Sequence, residues 1–465
     1  MRRINGIALA SAALAFGAAG AEAQVAVRGE TVYTMAGAPI RDGVVLVGAD
    51  GKIERVGTAA EVQIPAGYRT LSGRVVTPGL VDAHSVVGLA GAMNQPHDQD
   101  QLDRNEAIAP ELRAIDAYNA REQLVEWLRG YGVTTIHTGH GPGALVSGQT
   151  MVVKTRGDDV GEALVDTTTM VAFTLGPQVT NNFRNAGTRS RGVALLRAEL
   201  QKAREYDRRR GGTGGTPRGG GGGGGGEGGD TPTIRDGDRA AAAANPRTAD
   251  RATNEPRTTG GGNANRGGGG GGGQEGSGAR DLGLEMLARV LNRQVPALIT
   301  AQRVPEILAA LRLQEEFGFD LVLDGAAESY MVIDEIRRAG VPVILHPTMV
   351  RLGGETGHAT LETARRLREA GIPVALQSGY EGYVPKTRVV LFEAAIAAAN
   401  GLSMEDALRT ITIDAARIIG QDRRLGSLEQ GKDGDVVVFD GDPFEYTSHV
   451  CAVVIEGQVV SEECR

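Results

Sequence analysis

Between residues 77 and 414 the sequence repeats one pattern, a short apolar segment followed by a longer amphipathic segment. The short segments have the length of strands, and the longer ones carry apolar residues at helical spacing. Clear apolar segments lie at residues 133–138, 297–300, 321–323, 341–345 and 373–376. Apolar strands that alternate with helices are typical of a parallel sheet buried on both faces. The number of units favours a closed (β/α)8 barrel, an α/β fold, over an open sheet.

Both ends of the chain show the alternation of small antiparallel sheets instead. In residues 24–76, short β segments are separated by Gly, Asp-Gly and Pro, and Asp50-Gly51 is a strong signal for a tight turn. Residues 415–465 return to the same pattern after the last helical unit. We therefore predict that the two ends form one small β-sandwich, with the barrel of residues 77–414 inserted between them.

The two cysteines, Cys451 and Cys464, lie in the last predicted strands. A hairpin centred on Glu456-Gly457 places them nearly opposite each other, slightly beyond the end of the strand. We predict a disulfide that holds the C-terminal tail. Two unpaired thiols are the alternative, because spacing alone does not prove a connection.

The first 23 residues have the layout of a cleavable secretory signal. Arg2 and Arg3 are followed by an apolar run over residues 7–19, and Ala21-Glu22-Ala23 offers a site for signal peptidase. A retained membrane anchor is the alternative, but the apolar run is short for that role. We predict an exported protein, either periplasmic in a bacterium or secreted.

Residues 209–280 interrupt the barrel pattern with two glycine-rich runs around a polar stretch. Glycine at this density cannot offset its loss of conformational entropy by burial, which predicts a disordered surface insertion. A phosphate-binding loop is the alternative, but the Lys-Ser/Thr partner and the strand–loop–helix context that it requires are missing.

The overall charge is mildly acidic, at −8, and aromatic residues make up only 4% of the chain. This balance gives no electrostatic reason to expect nucleic acid or an anionic membrane as a partner. We expect a small molecule as substrate or ligand, and no membrane association after signal cleavage. A homo-oligomer is left open.

Candidate functional residues follow the predicted strands, because active sites of such barrels lie at the carboxyl ends of the strands. His84 comes directly after the apolar run at the start of the barrel, and His137 and His140 follow the next strand. His346 ends a later strand. Neutral imidazole is a suitable ligand for zinc and similar ions. Hydrogen-bonded or solvated groups at strand ends are the alternative interpretation.

Two motifs resemble those of a known family. The segment from Pro78 to His84, PGLVDAH, resembles the first-strand motif of the amidohydrolase superfamily, in its imidazolonepropionase-related branch. The segments DAARIIG (414–420) and GKDGDVVV (431–438) resemble the end of the same family. The resemblance implies a distorted (β/α)8 barrel, a β-sandwich from both termini and metal-dependent hydrolysis of C–N bonds.

The resemblance also shows where this chain departs from the family. The family's second histidine in the first motif corresponds to Val86, and two later histidines correspond to Thr300 and Asp324. The aspartate of the last strand corresponds to Gly379. Of the usual ligands only His84 is clearly retained, so the metal-ligand set is degenerate.

Other residues offer a replacement set. Lys154 occupies a place where some relatives carry a lysine near the metals, and a carbamylated lysine bridges two ions. We predict a rearranged site for a divalent metal, with zinc as the first choice, whose ligands are His84, His137, His140, Lys154 and Asp324.

The predicted function is hydrolysis of C–N bonds in non-peptide or cyclic amides, impaired by the replaced ligands. Asp324 or Glu381 would move protons while a metal-bound hydroxide attacks the amide carbon. The alternative is a non-catalytic protein that retains the barrel and binds a small molecule, since a fold does not fix a function.

Overall fold

The computed structural model describes residues 24–93, 95–211, 280–346, 353–380 and 389–465. The predicted signal peptide (residues 1–23), most of the predicted insertion and Glu381 lie outside these ranges. The described residues 24–211 and 281–465 belong to one compact unit. No helix in the described part of the chain is long and apolar enough to cross a membrane.

The strands of the described residues are distributed over two sheets. They are β1 (Val25–Val32), β2 (Ile40–Val47), β3 (Ile53–Thr58), β4 (Arg69–Pro78), β5 (Leu80–Ser85), β6 (Val133–Gly139), β7 (Val146–Lys154), β8 (Leu164–Asp166), β9 (Val171–Thr174), β10 (Ala297–Ala301), β11 (Leu321–Gly325), β12 (Val343–Leu345), β13 (Val374–Leu376), β14 (Val436–Phe439), β15 (Val450–Ile455) and β16 (Gln458–Ser461).

Helices follow most of the barrel strands. They are α1 (Gln123–Gly130), α2 (Val160–Ala163), α3 (Pro177–Asn182), α4 (Arg189–Gly211), α5 (Leu282–Leu291), α6 (Val304–Phe317), α7 (Ile333–Ala339), α8 (Thr363–Glu369), α9 (Val389–Ala399), α10 (Met404–Thr410) and α11 (Ile413–Ile418). Helix α6 shows the local signals clearly, with a proline in its first turn and Gly318 in the left-handed conformation after its last.

The barrel sheet has the order β13-β12-β11-β10-β9-β7-β6-β5, with β8 attached to β7. Neighbouring strands from β9 to β13 are parallel, and β5 is parallel to β6. A parallel bridge between Ser85 and Gly379 joins the two ends of the sheet. The backbone N–H of Ser378 also donates a hydrogen bond of 2.9 Å to the Asp82 carboxylate on β5. These contacts nearly close the barrel.

Strand β7 is the distortion in this barrel, because it runs antiparallel to both β6 and β9. All residues of β5, β6 and β7 are buried. Burial on both faces is typical of strands inside such a barrel, and here it includes polar residues such as Thr134 and Gln149.

The second sheet combines the two ends of the chain in the order β16-β15-β14-β4-β1-β2-β3. Strand β4 joins the two halves, since it pairs with β1 on one side and with β14 on the other. The predicted fold class, an α/β barrel with a small β-sandwich built from both chain ends, is therefore confirmed in its barrel and in the joining of the two ends. Strands from both ends form one continuous seven-stranded sheet.

The predicted disulfide is also confirmed, because Cys451 on β15 is bonded to Cys464 beyond β16. Next to it, Val450 and Arg465 exchange two backbone hydrogen bonds of 3.0 Å. The tail is thus held to the terminal sheet by one covalent bond and by strand-like pairing.

Candidate active site at the carboxyl end of the barrel

A buried, hydrogen-bonded pair of side chains lies where strands β5 and β11 end. Nδ1 of His84, on β5, is 3.0 Å from Oδ1 of Asp324, on β11. The two side chains are 1% and 0% exposed. Nε2 of His84 is buried and has no hydrogen-bond partner among the described residues. This pair therefore presents one unpaired polar atom in the interior of the barrel.

Two further side chains hold Asp324. Thr300, on β10, donates from its hydroxyl to Oδ2 over 2.5 Å, and Nε2 of Gln377 donates to Oδ1 over 2.7 Å. Burial alone would raise the pKa of Asp324, but the charge and hydrogen bond of His84, together with the two other donors, lower it below its ordinary value. Asp324 is accordingly ionised and accepts a hydrogen bond from Nδ1–H of His84.

His137, on β6, is close to His84, with 5.6 Å between the ring centroids. Its Nδ1 donates to the carbonyl of Ala83 over 2.7 Å, and its Nε2 is 2.6 Å from the Thr150 hydroxyl. Burial lowers the pKa of His137 to about 3, and the neighbouring charge of His84 adds to this shift. The ring is therefore neutral, and both nitrogens are occupied by hydrogen bonds.

His140 follows β6 and lines the wall of a cavity. It is 5% exposed, and neither ring nitrogen forms a hydrogen bond of normal geometry within the described residues. Burial lowers the pKa of His140 to about 4, although Asp100, Asp103 and the nearby Gln101 backbone oppose the shift. His140 is thus a neutral ring at the cavity wall.

Lys154 lies at the opposite end of the barrel from His84. Strand β7 runs antiparallel to β6, and the pairing of Lys154 with Thr135 places the lysine at the amino end of β6. Its amino group forms ion pairs with Asp433, at 3.2 Å, and with Asp435. The structure therefore does not bring Lys154 into a common site with the histidines, because the strand that carries it runs in the opposite direction. The sequence pattern did not reveal this reversal.

Tyr380 connects the buried pair to the cavity. Its ring centroid is 5.8 Å from that of His84 and 5.7 Å from that of His346. Its hydroxyl is 3.1 Å from Nε2 of Gln302, which donates to it. Nδ1 of His346 in turn lies 3.7 Å from Oε1 of Glu393. Tyr380 also lines the cavity, whereas His84 does not.

The cavity measures about 1100 Å³ and lies at the carboxyl ends of the strands, as bounded by the described residues. Its wall carries many polar side chains and charges of both signs. It includes the carboxylates of Asp100 and Asp103 and the guanidinium groups of Arg104 and Arg113. A small polar molecule with several hydrogen-bonding groups suits such a wall better than an apolar one.

The residues that the structure brings together do not fit a metal centre. A catalytic zinc site takes three protein ligands. Within the described ranges there is no group of three or more His, Cys, Asp or Glu side chains that could hold a metal ion. His137 uses both nitrogens elsewhere, and Val86 offers no donor atom. Of the five predicted ligands, only His84 and Asp324 are joined to each other by a hydrogen bond.

Gln377 is the residue that the sequence analysis missed. It follows the short strand β13 and reaches Asp324 across the barrel. A polar residue directly after an apolar strand was the available signal, and the same signal had drawn attention to His84. The predicted proton-transfer residue Glu381 lies outside the described residues.

Comparison with known proteins places these features in a family. A family model described as "Amidohydrolase family" matches residues 300–461. The imidazolonepropionase of Alkaliphilus oremlandii is 32% identical over 130 residues, which are 26% of this chain and 30% of that protein. The crystal structure of an amidohydrolase from Thermotoga maritima is 25% identical, with a TM-score of 0.76, and the match covers 94% of this chain and 100% of that chain. The chain belongs to the amidohydrolase superfamily.

Within the superfamily the chain belongs to the imidazolonepropionase-related branch. The imidazolonepropionase of Shouchella clausii is 31% identical over 145 residues, which are 28% of this chain and 31% of that protein. The matched segments thus span less than a third of either curated relative. Amidohydrolases are generally metal-dependent, whereas the described residues of this chain contain no group of three ligand-type side chains that could hold a metal ion.

Proposed function

We propose that the protein is an exported hydrolase of amide-type C–N bonds, in non-peptide or cyclic amides, with its active site at the carboxyl end of the barrel. Membership of the amidohydrolase superfamily supports the reaction class. The observation that carries the proposal is the buried His84–Asp324 pair, whose Nε2 has no partner among the described residues. Buried polar atoms are nearly always satisfied in native proteins, so an unsatisfied one calls for an explanation, of which a catalytic role is one.

Export is supported by two independent features. Residues 1–23 have the composition of a secretory signal. The Cys451–Cys464 disulfide is the kind of bond that persists in oxidising compartments and is rare in the cytosol. A bacterial periplasm or the extracellular medium satisfies both features.

The changed donor set supports an activity that differs from that of relatives with complete metal ligands. Val86, Thr300 and Gly379 stand where the family resemblance implies two histidines and an aspartate. We therefore expect slow hydrolysis of ordinary amidohydrolase substrates. The polar cavity beside Tyr380 and His140 supports a small polar substrate, and the acidic chain gives no support for nucleic acid.

A panel of amides tests the proposal. The full chain is incubated with cyclic amides (hydantoins, dihydropyrimidines and an imidazolone) and with N-acyl amino acids, and ring opening or amine release is followed. We expect turnover of at least one class, and a loss of about 100-fold or more in His84→Ala, as general acid–base groups contribute. No turnover of any compound by the native protein would contradict the proposal.

His449 provides a matched control for this experiment. Its Nδ1 lies 2.8 Å from Oδ2 of Asp440, so it forms the same kind of pair, but both side chains are about half exposed on the terminal sheet. His449→Ala should leave turnover unchanged. An equal loss of turnover in both variants would point to a general defect and contradict the assignment of the site.

A non-catalytic, ligand-binding barrel is the second candidate. It is favoured by one observation, namely that Nε2 of His84 is fully buried and the ring does not line the cavity. Saturable binding of a panel compound, measured calorimetrically, without any product after prolonged incubation would support this candidate. Product formation that depends on His84 would exclude it.

A further inference from the structure

We propose that His84 and Asp324 form a metal-independent general base, in which Nε2 of His84 removes a proton from the attacking water. This inference rests on the proposed hydrolase function. It assigns to His84 the role that a bound metal has in other members of the superfamily. Asp324 acts as a positioning residue, because it contacts His84 rather than water.

The hydrogen bonds around Asp324 fix the orientation of the imidazole. Gln377 donates to one carboxylate oxygen and Thr300 to the other, and each of these donors lies on a different strand or strand end. The carboxylate therefore cannot turn away from Nδ1 of His84, 3.0 Å distant. An ionised carboxylate has no proton to donate, so Nδ1 carries the hydrogen. In the neutral ring Nε2 is then a lone-pair acceptor, which is the form required of a base.

The same arrangement would also suit a histidine that binds a metal, since such histidines commonly donate their other N–H to a carboxylate. The surrounding residues distinguish the two cases. His137 is the neighbouring imidazole, and its two nitrogens are held by Ala83 and Thr150. No set of three ligand-type side chains is found in the described ranges. The pair has the geometry of a base without the further ligands of a metal centre.

The chemistry balances without a cofactor. One proton of water passes to Nε2 of His84 while the water oxygen bonds to the carbonyl carbon, and the carbonyl π electrons move to the carbonyl oxygen. When the intermediate collapses, the carbonyl re-forms, the C–N bond breaks, and the leaving nitrogen takes the proton from Nε2. His84 returns to its starting form, and Asp324 remains ionised throughout.

Tyr380 contacts both this base and the cavity, since its ring centroid is 5.8 Å from that of His84 and its side chain lines the cavity wall. We therefore expect Tyr380→Ala to alter KM more than it alters the proton transfer itself.

Two measurements on the full chain, purified without a histidine tag, test the base. The first is the metal content of the protein, for which we expect far less than one zinc, manganese or iron ion per chain. The second is the long-range ¹H–¹⁵N correlation spectrum of histidine-labelled protein, with His84 assigned by comparison with His84→Gln. We expect the Nδ1–H tautomer for His84.

Variants then separate positioning from a structural role. Asp324→Asn should lower kcat by about 10- to 100-fold with little change in KM, and the Nδ1–H tautomer of His84 should no longer predominate. Asp324→Glu should restore part of kcat. Thr300→Val is a milder variant that keeps the pair, and it serves if Asp324→Asn does not fold. A normal kcat in Asp324→Asn, or the Nε2–H tautomer in the native protein, would overturn the proposal.

The outcomes also distinguish this inference from the proposed function. Hydrolysis that requires about one metal ion per chain, lost in His84→Gln, would overturn the metal-independent base and retain the hydrolase. Absence of hydrolysis with every compound would overturn both.

Discussion

Two buried clusters of charged residues lie at opposite ends of the barrel, and they differ in how completely their atoms are paired. At the amino end, Lys154 contacts Asp433 and Asp435, and Asp433 is also bound by Lys52 and by Arg424 at 2.9 Å. At the carboxyl end, both carboxylate oxygens of Asp324 accept hydrogen bonds, but Nε2 of His84 has no partner within the described residues.

This contrast separates a structural cluster of charges from a functional one. The Lys154 cluster joins barrel strand β7 to the segment before terminal strand β14, so it holds two layers of the fold together. Burial raises the pKa of Asp435 despite the Lys154 charge, whereas Asp433, although burial opposes it, has its pKa lowered by three surrounding cations. A complete network of this kind stabilises the fold, and an incomplete one offers a reactive atom.

The largest effect is expected from Lys154→Met. This change leaves Asp433 and Asp435 buried with one cation fewer, so the free energy of unfolding should fall by about 3 kcal/mol or more. Denaturant unfolding measures it. Lys202→Met is the control, because Lys202 pairs with Glu199 on the surface of α4 and exposed pairs contribute less than about 1 kcal/mol. Equal effects in both variants would contradict the structural role of the amino-end cluster.

Acid should destabilise the protein through His140 at the carboxyl end. Its pKa is about 4 in the folded chain and 6.5 without the fold, so the unfolded chain binds more protons between these values. The contribution of His140 to the free energy of unfolding is therefore fully present above pH 6.5. It is lost as the pH falls towards 4, by about 3 kcal/mol in total. The free energy of unfolding, measured at several pH values, should depend less on pH in His140→Gln than in the native protein. An equal pH dependence in the two proteins would contradict the burial of a neutral ring.

Removal of the disulfide should cost a similar or slightly smaller amount. Cys451 and Cys464 close a loop with a sequence separation of 13, for which about 2–3 kcal/mol of stabilisation is usual. The double variant Cys451→Ser, Cys464→Ser should unfold at lower denaturant concentration but retain hydrolysis, because the bond lies in the terminal sheet. Loss of hydrolysis in the folded double variant would show that the two ends of the molecule are coupled.

The smallest stability effect is expected for Thr300→Val. It removes one of the hydrogen bonds to Asp324, so the free energy of unfolding should fall by about 1–2 kcal/mol. Turnover should fall as well. Thr155 is the control, because its hydroxyl donates to the Val133 carbonyl near the amino end of the barrel. Thr155→Val should lower stability comparably and leave turnover intact. A decrease of turnover in both variants would remove the contrast between the two ends.

Much of the fold could be predicted from the sequence because it depends on local patterns. Apolar strands and helical spacing predicted the barrel, and the tight turn at Glu456-Gly457 predicted the disulfide. The reversed direction of β7 was not accessible, since strand direction is decided by partners far away in the chain. That reversal is why Lys154 was assigned to the wrong end of the barrel.

The site was accessible only in part, for the same reason. His84 and Asp324 were recognised as strand-end groups, but their contact spans 240 positions in the sequence. The roles of Thr300 and Gln377 depend on three strands that converge on one carboxylate, and no spacing in the sequence records that convergence.

The most direct test of metal-independent catalysis by His84 is the rate of hydrolysis after complete removal of metals. The native protein is dialysed against a strong chelator, its metal content is verified, and turnover of the best panel amide is measured before and after. We expect a rate unchanged within about twofold, since the Nε2 base of His84 supplies the catalysis that general bases provide. A rate that falls to background and returns on addition of zinc would contradict it.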